Sequence, residues 1–293
     1  MKLTADVRLV HEAHNLVGEC PLWHAGEQAL YWVDTRRPAI QRLRPDGSVE
    51  AWPLPHKIGS FAFRERGGFV AAMQVGFCEL DLDPFTIRAI VDPEPDRPDN
   101  RLNDGKCDRA GRFWCGSRDP TDHNPGGALY RLDPDWTVTR IDTGFIISNG
   151  MAFSPDDRTL VFGDSAGEVT YRYDLDLAAG TVANRRPYLR TAGLPWRIDG
   201  AAFDEDGHYW CALIGDSAVA RFDPDGRLDR IVRLPVSHPT MCNFGGPDLD
   251  ILYVTSGTIF LDAEVRARQP LAGALFAVHG LGTRGIPEPF FTG

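Results

Sequence analysis

Asp108-Arg109-Ala110-Gly111-Arg112-Phe113-Trp114-Cys115-Gly116 and Asp204-Glu205-Asp206-Gly207-His208-Tyr209-Trp210-Cys211-Ala212 are two copies of one pattern: an acidic start, a glycine turn, then an aromatic and apolar run closing on a small residue. Weaker copies are Leu30-Tyr31-Trp32-Val33-Asp34, Gly68-Phe69-Val70-Ala71, Thr159-Leu160-Val161-Phe162-Gly163-Asp164 and Ile251-Leu252-Tyr253-Val254-Thr255. With Trp32, Val70, Trp114, Phe162, Trp210 and Tyr253 taken as one equivalent position, the spacings are 38, 44, 48, 48 and 43 residues. A period of this length is that of a four-stranded propeller blade, so six copies predict an all-β, six-bladed β-propeller around a central channel.

Working outward, each copy is followed by further short runs of β-branched, aromatic and aliphatic residues bounded by turn formers, the mark of successive strands. Gly127–Leu132, Val169–Tyr173 and Ala218–Phe222 are expected third strands. Arg44-Pro45-Asp46-Gly47 and Asp223-Pro224-Asp225-Gly226 are expected hairpin turns, with Pro setting the first turn dihedral and Gly supplying positive φ. No window holds a 3.6-residue apolar period long enough for a core helix. The 30 Gly and 22 Pro are spread over turns and none pool into a linker, so residues 1–293 read as one domain. Asp6–Val10 alternates like a strand able to complete the blade formed near residues 241–291.

A net charge of −10 with no basic run argues against a nucleic-acid surface, which requires clustered Lys and Arg. The opening Met1-Lys2-Leu3-Thr4-Ala5-Asp6 lacks a signal-peptide apolar core, and no stretch approaches the ~20 apolar residues of a spanning helix. A cytoplasmic protein without membrane partner, monomeric or weakly oligomeric, is the expectation. The six cysteines include no C-x-x-C pair and are expected as buried free thiols, Cys20 standing apart because it adjoins Glu19. His11-Glu12-Ala13-His14 is one residue short of the zinc motif H-E-x-x-H, so its imidazoles would not share a helix face. There is no G-x-S-x-G elbow and no phosphate-cradling glycine motif.

Four polar clusters remain: Gly18-Glu19-Cys20-Pro21, Arg101-Leu102-Asn103-Asp104-Gly105, Ser148-Asn149-Gly150 and Ile198-Asp199-Gly200. Each precedes the aromatic run of its copy by a similar distance, placing it at the entry of an innermost strand, where first residues converge at one mouth of the channel. An Asn-Gly or Asp-Gly alone is an ordinary turn. Recurrence in register is what makes these four a candidate site. Glu19, Asn149 and Asp199, with Asn103 nearby, offer hard oxygen donors suited to Ca²⁺, Mg²⁺ or Mn²⁺ and able to hold Zn²⁺ or Fe²⁺.

These clusters, with Leu22-Trp23 and Cys242-Asn243-Phe244-Gly245-Gly246, make the chain resemble the regucalcin, gluconolactonase and luciferin-regenerating-enzyme family of six-bladed propellers over essentially its whole length. The resemblance implies one divalent metal held by Glu19, Asn149 and Asp199, substrate contacts from Arg101 and Asn103, and hydrolysis of a sugar-acid lactone with Asp199 as general base. Asp104 is expected to brace the turn. The chain departs from the family pattern where Cys20 replaces a Gly, Ile198 a Pro, and Gly257-Thr258 an Ala-Arg. Arg118-Asp119 enters the substrate-covering loop at a place where the family often has Met, and Thr121 stands where some members carry an acidic substrate contact. Arg118 and Thr121 are therefore candidate substrate residues. An organophosphate-type phosphoesterase on the same metal, or a non-catalytic calcium-binding propeller, are the alternatives.

Overall fold

The computed structural model describes residues 5–293. Among these residues, twenty-four strands form six four-stranded antiparallel sheets, the blades of a six-bladed β-propeller, and one six-residue helix lies outside the sheets. After β1 (Asp6–His11), the first sheet is β2 (Gly18–His24), β3 (Ala29–Asp34), β4 (Ala39–Leu43) and β5 (Val49–Pro53). The second is β6 (Ile58–Phe63), β7 (Phe69–Met73), β8 (Gly76–Leu82) and β9 (Phe85–Val91). The third is β10 (Arg101–Cys107), β11 (Phe113–Arg118), β12 (Gly127–Leu132) and β13 (Val138–Phe145). The fourth is β14 (Ser148–Phe153), β15 (Thr159–Asp164), β16 (Val169–Asp176) and β17 (Thr181–Arg190). The fifth is β18 (Arg197–Phe203), β19 (Tyr209–Ile214), β20 (Ala218–Phe222) and β21 (Leu228–Arg233). The sixth is β22 (Pro239–Gly245), β23 (Ile251–Ser256), β24 (Leu275–His279) and, closing it, β1, whose Val7 pairs with Val278 as the sequence led us to expect.

Packing resolves two compact units of three sheets each. One contains the chain up to Pro53 with Gly193–Pro287; the other contains Leu54–Ala192 with Glu288–Gly293. In the first, the buried cores are Trp210, Val219, Phe244, Leu252 and Phe276 with their neighbours, and Leu30, Trp32, Tyr253 and Leu275. In the second they gather around Phe77, Phe113, Tyr130 and Phe291, and around Trp114, Phe145, Met151 and Phe162. The last strands of the sheets carry most of the exposed positions, as in β9 and β21. The helix α1 (Ala263–Arg268) buries no residue, in keeping with the missing helical period.

The two strongest sequence copies have a shared physical basis. In each, the leading Asp is fully buried and accepts from backbone N–H groups of its own turn, while its other oxygen accepts an indole N–H: Trp114 Nε1 to Asp108 Oδ2 at 2.8 Å, Trp210 Nε1 to Asp204 Oδ2 at 2.9 Å. A guanidinium neutralises each, Arg112 Nε and Arg221 Nε lying 2.7 Å from the respective Oδ2. Gly111 and Gly207 close the turns at φ of 76° and 80°, a region open to Gly without cost.

Strand register corrects the expected equivalence of the aromatics. Val70, Trp114, Trp210 and Tyr253 do share a position, opposite Ala62, Lys106, Ala202 and Asn243 on the preceding strands. The residues at that position in the other two sheets are Tyr31 and Val161, opposite Leu22 and Ala152, so Trp32 and Phe162 sit one residue later, on the other face. The second strands are buried on both faces, β3 and β15 at every residue, so they read as continuous apolar runs whose pattern does not fix register.

Candidate active site

The first strand of every sheet carries a register shift near its start: between Glu19 and Leu22, Ile58 and Ser60, Leu102 and Gly105, Asn149 and Ala152, Ile198 and Ala201, and Pro239 and Cys242. Such a bulge leaves a residue outside the ladder and re-aims its side chain. Aligned on the ladder, Glu19, Asn103, Asn149 and Asp199 occupy one and the same position in four sheets, with Gly59 and Thr240 there in the other two. The four polar clusters picked out by sequence are one site position repeated, and a bulge sits on each.

In the first unit, Glu19 is half-buried and Asp199 buried. The chain entering β2 is held by Asp34, the last residue of β3, whose carboxylate accepts from Leu16 N at 2.8 Å and Val17 N at 3.2 Å. Thr240, at the equivalent position of β22, spends its hydroxyl on the carbonyl of Gly18, tying the two first strands together beside Glu19. Cys20 follows Glu19 at φ 53°, and Gly150 follows Asn149 at φ 67°. Gly150 takes this left-handed conformation freely, and Cys20 adopts it at a cost of ~1–2 kcal/mol.

In the second unit, Asn103 and Asn149 are both buried and bonded to each other. Asn103 Nδ2 donates to Asn149 Oδ1 at 2.9 Å and to Ser148 O at 2.7 Å, while Asn149 Nδ2 donates to Ser165 Oγ at 2.9 Å. The Asn149 amide is thus held from both ends, and its oxygen keeps a second lone pair. Asp164 plays for β14 the part Asp34 plays for β2, accepting from Ile146 N and Ile147 N at 2.8 and 2.9 Å. Asp104 braces, as expected: its Oδ2 accepts from Met151 N at 2.8 Å across the bulge of β14, Oδ1 is buried without a hydrogen-bond partner, and burial pushes its carboxyl above the usual range.

Gly59 explains how close these strands come. A Cβ there would lie 2.4 Å from Asn103 O and 2.6 Å from Asn103 Cα, so only Gly lets β6 pass against β10. Arg101 is half-buried with Nη1 donating to Leu102 O at 3.1 Å, on the same strand face as Asn103. Arg118 ends β11 and forms an ion pair with Asp122, and the Thr121 hydroxyl bonds Asp119 within its own turn. Both lie on the segment expected to cover substrate, engaged locally.

All six cysteines are buried and free, matching expectation. Burial pushes Cys78 up to about 11 and Cys115 and Cys211 well above the usual thiol range, so none of these three is a thiolate near neutrality. Asp204, Asp206 and His208 bring potential ligand atoms within 4.8 Å of one another, but Arg221 already fills that place, bonding Asp204 at 2.7 Å and Asp206 at 2.8 Å. The cluster repeats the Asp108–Arg112–Trp114 arrangement and is structural. Sequence reading missed Gly59; aligning Lys57-Ile58-Gly59 with Arg101-Leu102-Asn103 would have found it.

Fold and site position together define a β-propeller whose first strands present a recurring oxygen-donor residue, two carboxylates and two amides. Residues 17–258 match the family described as the SMP-30/Gluconolactonase/LRE-like region, and the chain belongs to that family. It is 40% identical to 6-deoxy-6-sulfogluconolactonase of Pseudomonas putida, over 99% of this chain and 100% of that protein. Regucalcin of Danio rerio is 35% identical, with 98% of each covered. Among solved structures, a luciferin-regenerating enzyme superposes with a TM-score of 0.91 at 29% identity, covering 99% of this chain and 100% of that one. A regucalcin of Agrobacterium tumefaciens, described as a calcium-binding protein, gives 0.93 at 27% identity, covering 98% and 97%. Among the described residues, no helix is long and apolar enough to cross a membrane.

Proposed function

We propose that this chain, acting as a single domain, hydrolyses a sugar-acid lactone to the free aldonic acid with one divalent cation held by Glu19, Asn149 and Asp199. The observation that carries this reading is the shared ladder position of those three residues and Asn103, each at or beside a bulge. The donor set fits such an ion: two carboxylate groups and an amide oxygen whose orientation is fixed by Asn103 and Ser165 are hard ligands for Ca²⁺, Mg²⁺, Mn²⁺, Zn²⁺ or Fe²⁺. The names of the sulfogluconolactonase and of the gluconolactonase-like relatives support the substrate class.

A divalent cation held by Glu19, Asn149 and Asp199 would supply Lewis-acid polarisation at the lactone carbonyl. The chain's own residues do the rest. Asp199 takes a proton from the attacking water as its oxygen bonds to the carbonyl carbon, and returns that proton to the ring oxygen as the C–O bond breaks. Arg101 and Asn103 hydrogen-bond the sugar and orient it, and a polar site of this kind discriminates against analogues lacking the matching hydroxyl. Arg118 and Thr121, on the covering loop, contact substrate after exchanging their present partners Asp122 and Asp119.

The test is acid release from a panel of aldonolactones by metal-stripped protein, each divalent metal restored in turn, beside Glu19→Gln and Asp199→Asn. Turnover that requires metal and collapses in both folded variants is the expected result. Metal binding without turnover of any lactone would replace this reading with a calcium-binding propeller, and turnover of phosphate triesters instead would replace it with a phosphoesterase.

A further inference from the structure

His238 enters β22 two residues before Thr240, and Pro239 between them keeps the residue ahead of it extended, so His238 and Thr240 share a face. β22 packs against both β18, which carries Asp199, and β2, which carries Glu19, and all three strands belong to the first unit. The backbone is closed at this level: Gly257 N donates to His238 O at 3.1 Å, and Gly257 also bridges Val17, two residues before Glu19. In its own sheet Arg101, the expected sugar contact, stands at the same ladder position.

The hydrogen bonds around His238 fix its tautomer. Ser237 N donates to Gln269 Oε1 at 2.8 Å, which sets that amide atom as the oxygen. Ser237 Oγ lies 3.0 Å from the same Oε1, and only the serine proton can join two oxygens there. With that proton spent, the 2.7 Å contact between Ser237 Oγ and His238 Nδ1 takes its hydrogen from the ring. Burial lowers the imidazole pKa and keeps the ring neutral, so Nε2 carries a bare lone pair. Among the described residues nothing donates to Nε2. Phe260 covers one face of the ring, with centroids 5.5 Å apart and 18° between the planes. Gln269 is the C-cap of α1, so the single segment that follows β23 supplies Gly257, Phe260 and Gln269, three separate restraints on His238.

A lone-pair acceptor held in one direction, two residues from the site position, answers to a hydroxyl donor. We propose that His238 Nε2 accepts a hydrogen bond from a hydroxyl of the sugar lactone, which makes His238 a substrate-contacting specificity residue aimed by Ser237 and Gln269. This role rests on the lactonase reading above and adds to it an acceptor, where Arg101 offers only donors.

The experiment takes the aldonolactone that metal-supplemented full-length protein turns over best and compares its kcat/KM with those of its deoxy analogues, each lacking one hydroxyl. The wild-type enzyme is expected to lose about three- to tenfold on one analogue beyond the others, mainly through KM. His238→Leu should lower kcat/KM for the parent lactone by a similar factor and erase the extra penalty on that analogue alone. His238→Gln, whose Oε1 can accept in the place of Nε2, should restore most of the loss. Long-range ¹H–¹⁵N spectra of the unaltered chain should show the proton on Nδ1 and an Nε2 resonance that moves when the product aldonic acid is added, and they decide the matter even where a variant is unstable. An unchanged KM in His238→Leu, a loss spread equally over all analogues, or a neutral ring protonated on Nε2 would overturn the inference and leave the lactonase intact. No turnover of any lactone by the wild-type protein would overturn both.

Discussion

Replacing Asn103 by Ala tests whether Asn149 is a metal ligand whose aim depends on its neighbour. The change removes an Nδ2 that donates at 2.9 Å to Asn149 Oδ1 and at 2.7 Å to Ser148 O, both buried. Each lost bond is worth ~0.5–1.5 kcal/mol and each stranded acceptor adds to that, so a loss of ~2–3 kcal/mol in stability is expected. Freed on its oxygen side, the Asn149 amide keeps only the Ser165 contact at 2.9 Å and can rotate about it. Loss of such a supporting partner costs about 10- to 100-fold in metal affinity. Titration calorimetry of Mn²⁺ and Ca²⁺ into metal-stripped protein, beside a thermal melt of the metal-free form, separates the two effects. If the melt falls but both metal affinities hold, Asn103 does not aim Asn149 at a cation and that reading fails.

Gly59→Ala should cost ~1–3 kcal/mol, because the new methyl would sit 2.4 Å from a backbone oxygen that cannot swing away, and it should depress lactone turnover by displacing Asn103; a chemical melt with a parallel rate assay checks both. Asp204→Ala removes a fully buried carboxylate that accepts from Trp210, Arg221 and two backbone N–H groups of its own turn; Arg221 keeps Asp206 and Asp229, and the stranded indole and turn donors are expected to destabilise by ~2–4 kcal/mol, far more than the exposed Asp225→Ala measured alongside it in urea. Acid should destabilise the protein partly through His238. Its folded pKa lies below the ordinary 6.5, so the unfolded chain takes the proton first; the stability this gives is present above pH 6.5, declines as pH falls below it, and is gone once the folded value is passed. His238→Gln should flatten that part of the stability–pH curve, and an unchanged slope would show that the imidazole is not held neutral by its surroundings.

Repetition made the fold legible from sequence. Six copies of a turn-and-strand pattern at blade length are a statement about chain geometry that needs no partner to be read, and the closing strand was visible in the alternation of Asp6–Val10. The Asp of the two strongest copies could be quoted from sequence, yet its bonds to Trp114 and Trp210 are formed by side chains six residues on that only the turn brings round. Glu19, Asn149, Asp199 and Asn103 were found because each sits in a polar motif. Gly59 was not, because Lys57-Ile58-Gly59 has no polar residue at the site position.

The sequence by itself determined the all-β class, the number of blades and the polar residue types that recur at the site position, since these depend on period and composition along the chain. Tertiary structure alone decided register. With strands buried on both faces, apolar pattern leaves a one-residue slip undetected, which is how Trp32 and Phe162 came to be set equal to residues on the opposite face. It also decided that a bulge stands at or beside Glu19, Asn103, Asn149 and Asp199 and that Asn103 bonds Asn149, because each of these is a relation between strands, fixed by ladder hydrogen bonds and close backbone approach.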